Sequence, residues 1–205
     1  MSTPVLWQFR HSHFNDKVRW ALDWKGIAHQ RRSLVPGLHI PRMLLLTGQK
    51  QVPALVLDGE VICDSTRIIA ALERRHPERP LYPADEGARR RALELEEFCD
   101  EELGAHVRRA VFAELLPDTA YSVALFTTGE PALTRALYRL VFPALRPVMK
   151  LDMGIDPRGA EESRRKVEAG LDRIAAEIAP SRHLVGDGFT VADLTAAAIL
   201  GPLFF

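Results

Sequence analysis

Three short segments of the chain carry side chains that could do chemistry, and the first is built around Ser12. This serine lies between an apolar run ending at Phe9 and a helical pattern beginning at Phe14. Helix N-termini carry partial positive charge and free backbone N–H groups, so a hydroxyl there can donate to a thiolate. A free thiol, with a pKa of about 8.5, is only about 3% ionised at pH 7. Ser12 could therefore stabilise a thiolate, or it could simply cap the helix.

The second segment is the run Gln51, Val52 and Pro53, at the start of a strand-like stretch. A proline at the start of a strand leaves the backbone of the preceding residue free, so an extended peptide could pair with Val52. A cis bond before Pro53 would turn that backbone toward a ligand. Only about 5–6% of such bonds are cis in folded proteins, so the residues alone favour trans.

The third segment is Asp64 and Ser65, which follow a strand-like run and open a helix. The Ser65 hydroxyl and the N–H groups of the helix start could form a site for a carboxylate. The Asp64 carboxylate beside it would suit an ammonium group. The pair could thus hold an α-amino acid zwitterion, or it could serve only as a helix cap.

The elements that must position these segments are strand, helix, strand, helix, strand, strand and helix, in that order. The strand patterns cover 5–9, 27–34, 53–57 and 60–63, and the helical patterns cover 14–25, 41–48 and 65–76. Asp58-Gly59 between the last two strands is a strong hairpin signal. Arginines in the second strand indicate an exposed edge. The pattern predicts a small α/β domain over residues 1–80.

A proline-rich linker at 76–83 separates this domain from a helical one. Helical periodicity covers 86–115, 120–150, 161–178 and 191–205, which predicts an all-helical domain over residues 86–205. Pro131, Pro143 and Pro147 are expected to break or kink the second of these helices. Thr190 and Asp193 have the spacing of a capping box, which is a folding device.

Composition excludes several classes of protein. Twenty-seven basic residues balance twenty-seven acidic ones, so no net charge attracts nucleic acid or an anionic membrane. Cys63 and Cys99 are the only cysteines, which excludes a disulfide framework, a cysteine zinc site and a C-x-x-C motif, and no metal cofactor is expected. The chain has no signal-peptide pattern and no apolar run of the roughly 20 residues needed to span a bilayer, so we expect a cytoplasmic protein.

Taken in order, these motifs resemble the glutathione S-transferase family over nearly the whole chain. The resemblance rests on the Ser12 junction, Gln51-Val52-Pro53, Asp64-Ser65, the proline-rich linker and the Thr190 capping box, and Lys17 to Ile27 resembles the first helix of the family. It implies a thioredoxin-like domain followed by an all-helical domain, glutathione as co-substrate, and a homodimer.

The resemblance also implies roles for the three segments. The Val52-Pro53 bond would be cis, and the Val52 backbone would pair with the cysteinyl part of glutathione. Asp64 and Ser65 would hold the γ-glutamyl end, with help from Gln51.

Ser12 would be the catalytic residue that activates the thiolate. His11 and His13 flank it where smaller or apolar residues are expected. Either histidine could hydrogen-bond the thiolate or lie in solvent, and we expect solvent. Asn15 is a second candidate for contact with the sulfur, and His39 is a candidate for the glycine carboxylate.

The predicted function is transfer of glutathione to a small apolar electrophile. The pocket for this electrophile is expected between the domains, lined by apolar residues of Glu101 to Leu116. No cysteine stands at the reactive position, so mixed-disulfide chemistry is not expected. The alternatives are a non-catalytic binding module on the same fold, or a glutathione-dependent isomerase or dehalogenase.

Overall fold

The N-terminal part of the chain is a four-stranded sheet with three helices. The computed structural model describes residues 3–178 and 182–204. The strands are β1 (Val5–Gln8), β2 (Gln30–Ser33), β3 (Ala54–Leu57) and β4 (Glu60–Cys63). The helices of this part are α1 (His13–Trp24), α2 (Ile40–Thr47) and α3 (Ser65–Arg75). The predicted order of elements is confirmed.

The strand order is β2–β1–β3–β4, so β1 and β3 form the interior of the sheet. β1 runs parallel to β2 and antiparallel to β3, and β3 runs antiparallel to β4. Asp58 and Gly59 have φ values of 51° and 87°, as a two-residue turn between paired strands requires. β2 is the exposed edge that its arginines predicted.

Every regular element described after residue 85 is helical. The helices of this C-terminal part are α4 (Glu86–Glu97), α5 (Gly104–Leu115), α6 (Thr119–Phe126), α7 (Ala132–Asp152), α8 (Pro157–Ile178) and α9 (Val191–Leu200). A π-helical segment, Phe98–Leu103, joins α4 to α5, and a 3₁₀ turn, Gly201–Leu203, follows α9. None of the helices within 3–178 and 182–204 is both long and apolar enough to cross a bilayer.

The prolines expected to break or kink the helix predicted over 120–150 act differently. Pro131 lies at the break between α6 and α7, as expected, but α7 is not broken at Pro143 or Pro147. These two residues are four positions apart and both exposed, so they lie on one solvent-facing side of the helix. The carbonyl groups that lose their intrahelical partners there can bind water instead, which is why the helix does not end.

One hydrophobic core runs across both parts of the chain. It joins Leu6 and Leu55 of the sheet to Val18 of α1, and continues to Leu95 of α4 and Ile199 of α9. Helix α1 packs against α3 on one side and against α9 on the other. The first turn of α1 is therefore enclosed by the helical part.

Helix α9 begins with the predicted capping box. Thr190 and Asp193 exchange the reciprocal hydrogen bonds, and Asp193 Oδ1 also accepts from the backbone of Leu184 at 2.8 Å. This capping box fixes the start of α9, the helix that packs against α1.

A second cluster of buried residues ties α6 and α7 to the N-terminal part. Phe126, Tyr138 and Phe142 pack with Val35, which precedes α2. The Tyr138 hydroxyl donates to the backbone carbonyl of Pro36 at 3.0 Å. This contact places α7 beside the β2–α2 connection.

Candidate functional site

The sheet brings the three predicted segments to one end. In the register of the strands, Ala54 pairs with Trp7 on one side and with Cys63 on the other. The loop that follows β1, the turn that precedes β3 and the junction that follows β4 therefore emerge together. Neighbouring strands lie about 4.8 Å apart, so the three segments span roughly 10 Å of sheet width.

Ser12 is the N-cap residue of α1, but its side chain does not cap the helix. The Ser12 carbonyl accepts from the backbone N–H groups of Asn15 and Asp16 at 3.0 and 2.8 Å. The half-buried hydroxyl makes no capping hydrogen bond. The Ser12 side chain therefore does not cap α1, and its hydroxyl is available to a ligand.

Arg19 holds the loop that carries Ser12. Its guanidinium donates to the backbone carbonyls of Phe9 and Arg10 at 3.2 and 3.0 Å, and to the Gln8 side chain at 2.7 Å. It also pairs with Asp16. Sequence reasoning missed Arg19; the only signal was its place next to the core position Val18.

His13 is buried, so the expectation that it faces solvent is wrong. Its side chain is 5% exposed, because the helical part covers the first turn of α1. Burial, with a smaller contribution from the positive charge of Arg108, lowers the pKa of His13 to about 3. The imidazole is therefore neutral at physiological pH. His11, by contrast, is exposed, as expected.

Asn15 is fully buried, and neither atom of its amide has a hydrogen-bond partner among the described residues. With no exposed surface, the amide cannot meet a sulfur atom in this conformation. The structure therefore argues against Asn15 as the contact to sulfur, and among Ser12, His13 and Asn15 it leaves Ser12 as the accessible residue.

The Val52–Pro53 turn presents free backbone beside the Ser12 loop. The bond between these residues is cis. Pro53 is buried, Val52 is half-buried and Gln51 is exposed. No backbone hydrogen bond of Val52 occurs within the described chain, since the pairing of β3 begins at Ala54.

Asp64, rather than Ser65, is the N-cap of α3. Asp64 Oδ1 accepts from the backbone N–H of Arg67 at 3.0 Å, and its backbone has φ 78°. A positive φ in a residue other than glycine is uncommon and recurs at ligand sites. The Ser65 side chain is 4% exposed, and Asp64 itself faces solvent.

An acidic cleft begins at Asp64 and continues between α3 and α4. Its volume is about 660 Å³. The residues that line it are Gln49, Cys63, Asp64, Thr66, Arg67, Leu93, Glu96, Glu97, Asp100 and Glu101. Glu96 and Asp100 are paired with Lys17, so Asp64, Glu97 and Glu101 are the carboxylates that remain to favour a positively charged group.

Lys17 joins the two parts of the chain behind this cleft. It is fully buried, its Nζ lies 2.7 Å from Glu96 Oε1, and it also pairs with Asp100. Thr66 Oγ1 accepts from Lys17 at 3.0 Å and donates to Asp100 at 2.9 Å. Burial raises the pKa of Glu96, and the Lys17 charge opposes that rise. Sequence reasoning found none of these partners.

Both ring nitrogens of His39 already have partners within the chain. Its Nδ1 accepts from the backbone N–H of Gly37 at 3.0 Å, and its Nε2 lies 3.0 Å from the carbonyl oxygen of Lys50. Neither ring nitrogen is free, so the structure does not support His39 as a partner for the glycine carboxylate.

The segment predicted to line an electrophile pocket is only partly core. Leu103, Val107 and Leu116 are buried, whereas Arg108 is half-buried. A second, apolar groove of about 540 Å³ lies elsewhere, along α8 and α9, where it includes Trp20. Neither this groove nor the acidic cleft includes Ser12.

The two cysteines are free thiols in different environments. Cys99 is buried, and burial raises its pKa to about 12, with help from the nearby Asp100 charge. Cys63 lies in the acidic cleft, half-buried and unpaired with Cys99. Within residues 3–178 and 182–204, no three histidine, cysteine or acidic side chains are arranged to hold a metal ion.

Two family models match the chain and together cover more than half of it. The model described as "Glutathione S-transferase, N-terminal domain" matches residues 6–80. The model described as "Glutathione S-transferase, C-terminal domain" matches residues 157–205.

A curated relative, "Probable maleylacetoacetate isomerase" of Caenorhabditis elegans, is 33% identical over 96 residues. The match covers 45% of this chain and 45% of the relative, so the chain spans under half the length of that relative.

Solved structures show the same fold. A glutathione S-transferase from Rhodospirillum rubrum F11 superposes with a TM-score of 0.74 at 24% identity, covering 98% of this chain and 78% of that one. A glutathione S-transferase from Methylobacterium radiotolerans JCM 2831, in complex with glutathione sulfonate, has a TM-score of 0.66 at 25% identity. It covers 98% of this chain and 79% of that one.

Proposed function

Because this chain belongs to the glutathione S-transferase family, we propose that it binds glutathione and adds the glutathione thiolate to a small, largely apolar electrophile. The observation that carries the proposal is the uncapped Ser12 hydroxyl at the start of α1. It emerges at the same end of the sheet as the free Val52 backbone and the Asp64–Ser65 junction.

The span of these segments suits a tripeptide. Three extended residues reach about 10–11 Å, close to the roughly 10 Å between the β1 and β4 ends of the site. In the proposed complex the cysteinyl backbone pairs with Val52, and the γ-glutamyl carboxylate meets the N-terminus of α3 at Ser65. The γ-glutamyl ammonium group then lies near Asp64 and the acidic cleft. Gln51, which is exposed beside Val52, can assist.

Ser12 then acts on the sulfur. Its hydroxyl donates to the thiolate, and the partial positive charge of the α1 N-terminus favours the anion. Lowering the thiol pKa by about two units requires roughly 2.7 kcal/mol, which one charged hydrogen bond and the helix terminus can supply. His13 is neutral, so it adds no positive charge to this site.

A second candidate function is glutathione-dependent isomerisation, favoured by the name of the curated relative. In that reaction the thiolate adds reversibly to a conjugated double bond, the new single bond rotates, and elimination returns the thiolate. The same Ser12 would serve both reactions. They differ in whether glutathione stays attached to the product.

The decisive experiment combines binding with turnover. We expect glutathione to bind in calorimetric titration, and the chain to convert an aryl halide or a cis-enedione in its presence. Ser12→Ala should lower the rate at least tenfold while binding persists, whereas Thr3→Ala, at the opposite end of β1, should change neither. Binding without turnover of either substrate would make the chain a binding module, and no heat at millimolar glutathione would refute the proposal.

We further propose a thioredoxin-like domain over residues 1–80, an all-helical domain over 86–205, and a homodimer that works in the cytoplasm. The mass of the purified protein in solution, measured by light scattering, tests the dimer. A monomer at micromolar concentration would contradict it.

A further inference from the structure

Arg108 is a half-buried arginine that has no protein partner in the described chain. Its Nε is fully buried without an acceptor, and its terminal nitrogens form no hydrogen bond and no ion pair with residues 3–178 or 182–204. Its neighbour Arg109 differs, since it donates to the carbonyl of Met153 at 3.0 Å and to the Ser163 hydroxyl at 3.4 Å. Burying Nε without an acceptor is costly, while the terminal nitrogens keep contact with solvent. The guanidinium therefore has accessible donors that no protein group satisfies.

The unpartnered guanidinium of Arg108 lies near the first turn of α1. Helix α5 meets the first turn of α1 at Gly104, where an added Cβ would lie only 2.9 Å from Phe14 Cζ. Residues four apart share one face of a helix, so Arg108 lies one turn along the face that touches α1. Its charge is close enough to His13, the residue after Ser12, to lower the pKa of that histidine.

The groups around Arg108 do not neutralise it. The negative charge of Asp152 opposes the lowering of the Arg108 pKa by burial, but the Asp152 carboxylate is already paired with Lys50 at 2.6 Å. His13 on the facing helix is neutral, and Arg109 adds a second positive charge. The local environment thus favours an incoming anion.

We propose that Arg108 binds a carboxylate of the second substrate, so that the site prefers anionic electrophiles to neutral ones. The inference rests on the proposed function, because it needs the glutathione thiolate at Ser12 as the other reactant. A guanidinium offers two parallel N–H donors that match the two oxygens of a carboxylate. The electrophile then has an apolar body and one carboxylate, and Arg108 turns its reactive carbon toward the sulfur.

Two carboxylates could bind Arg108: that of the second substrate and that of the glycine end of glutathione. Glutathione itself is expected along Val52 and Ser65, at the starts of β3 and α3. Arg108 instead approaches from the helical part, on α5. A substrate bound beside the sulfur therefore fits Arg108 better than the glycine end does.

Stable conjugates of glutathione can test the assignment by calorimetry. The probes are glutathione, S-benzylglutathione and S-(4-carboxybenzyl)glutathione, the last two differing by one carboxylate. The proteins are the natural chain, Arg108→Met, Arg108→Lys and the control Arg165→Met, which removes an exposed arginine from α8. Unfolding curves for each variant establish that it is folded.

We expect the natural chain and the control to bind the carboxylated conjugate roughly ten- to a hundredfold more tightly than S-benzylglutathione. Arg108→Met should abolish this preference while binding S-benzylglutathione and glutathione normally, and Arg108→Lys should keep part of it. Equal affinity of the natural chain for both conjugates would overturn the inference. So would an Arg108→Met variant that keeps the preference, or one that loses affinity for glutathione itself, which would assign Arg108 to the glycine end. Failure of all three probes to bind would instead refute glutathione binding altogether.

Discussion

Arg19 donates a hydrogen bond of 3.0 Å from its guanidinium to the backbone carbonyl of Arg10, two residues before Ser12. The same guanidinium donates to the carbonyl of Phe9, so one side chain fixes the loop between β1 and α1. A hydroxyl can stabilise a thiolate only at hydrogen-bond distance, and this distance is set by the loop. Arg19 is therefore a positioning residue for Ser12.

Replacing Arg19 with lysine should lower kcat about 10- to 100-fold, since a single ammonium cannot bind both carbonyls and small displacements of a catalytic group are costly. KM for glutathione should change less, because Val52 and Asp64 lie on other segments. Steady-state kinetics at varied glutathione measures both constants. The control is Arg31→Lys, which alters an exposed pair with Asp23. An unchanged kcat would show that the loop keeps its shape without Arg19.

The buried His13 should make stability depend on pH. Its pKa is about 3 in the folded protein and about 6.5 when unfolded, so the fold favours the neutral ring. As pH falls from 6.5 toward 3, the unfolded chain binds a proton that the folded chain does not. Unfolding free energy should then decrease by up to about 1.4 kcal/mol per pH unit.

Urea unfolding at pH 4.5, 5.5 and 6.5 measures this slope. His13→Gln cannot titrate, so it should reduce the slope by about that amount in this window. His76→Gln, at the end of α3, is the control and should leave it unchanged. If the slope is the same in His13→Gln, then His13 is protonated in the folded state and is not buried as described.

Local signals explain why so much of the fold could be predicted. Pro41 and Gly48 bound α2, and Asp58-Gly59 forms the turn between β3 and β4. Each of these is decided by the backbone preferences of one or two residues. The convergence of the Ser12, Val52 and Asp64 segments then follows from the strand order.

Contacts between distant residues could not be predicted in the same way. Lys17 and Asp100 are 83 residues apart, and nothing in their spacing marks them as partners. His13 is another case, since a helical pattern does not show that a polar residue in the first turn is covered by a second part of the chain. α1 packs against both α3 and α9, so four of its polar residues, His13, Asn15, Lys17 and Arg19, are buried with its apolar ones. The unpartnered Arg108 is likewise visible only once α5 is placed against α1.

The contact between Tyr138 and Pro36 should stabilise the docking of α7. Tyr138 is fully buried, and its hydroxyl is the donor to the Pro36 carbonyl. Tyr138→Phe leaves the ring packing intact but leaves that carbonyl without its donor, which should cost about 1–3 kcal/mol of unfolding free energy. Chemical denaturation measures the loss, with Tyr121→Phe on the exposed side of α6 as control. A loss no larger than in the control would mean that water replaces the hydroxyl.

The charge of Asp64 can be separated from its capping role, because asparagine keeps a side-chain oxygen for the Arg67 N–H. Asparagine also tolerates positive φ, which is 78° at this position. Asp64→Asn should therefore leave the unfolding free energy within about 0.5 kcal/mol of the natural chain.

Glutathione affinity of Asp64→Asn, measured by calorimetry, should fall roughly tenfold, since the ammonium group loses a charged partner. Asp58→Asn is the matched control, because it changes an exposed aspartate at positive φ in the hairpin turn, away from the site. Equal glutathione affinity in Asp64→Asn and Asp58→Asn would place the ammonium group elsewhere in the acidic cleft. The other carboxylates there, Glu97 and Glu101 among them, would then be the next to replace.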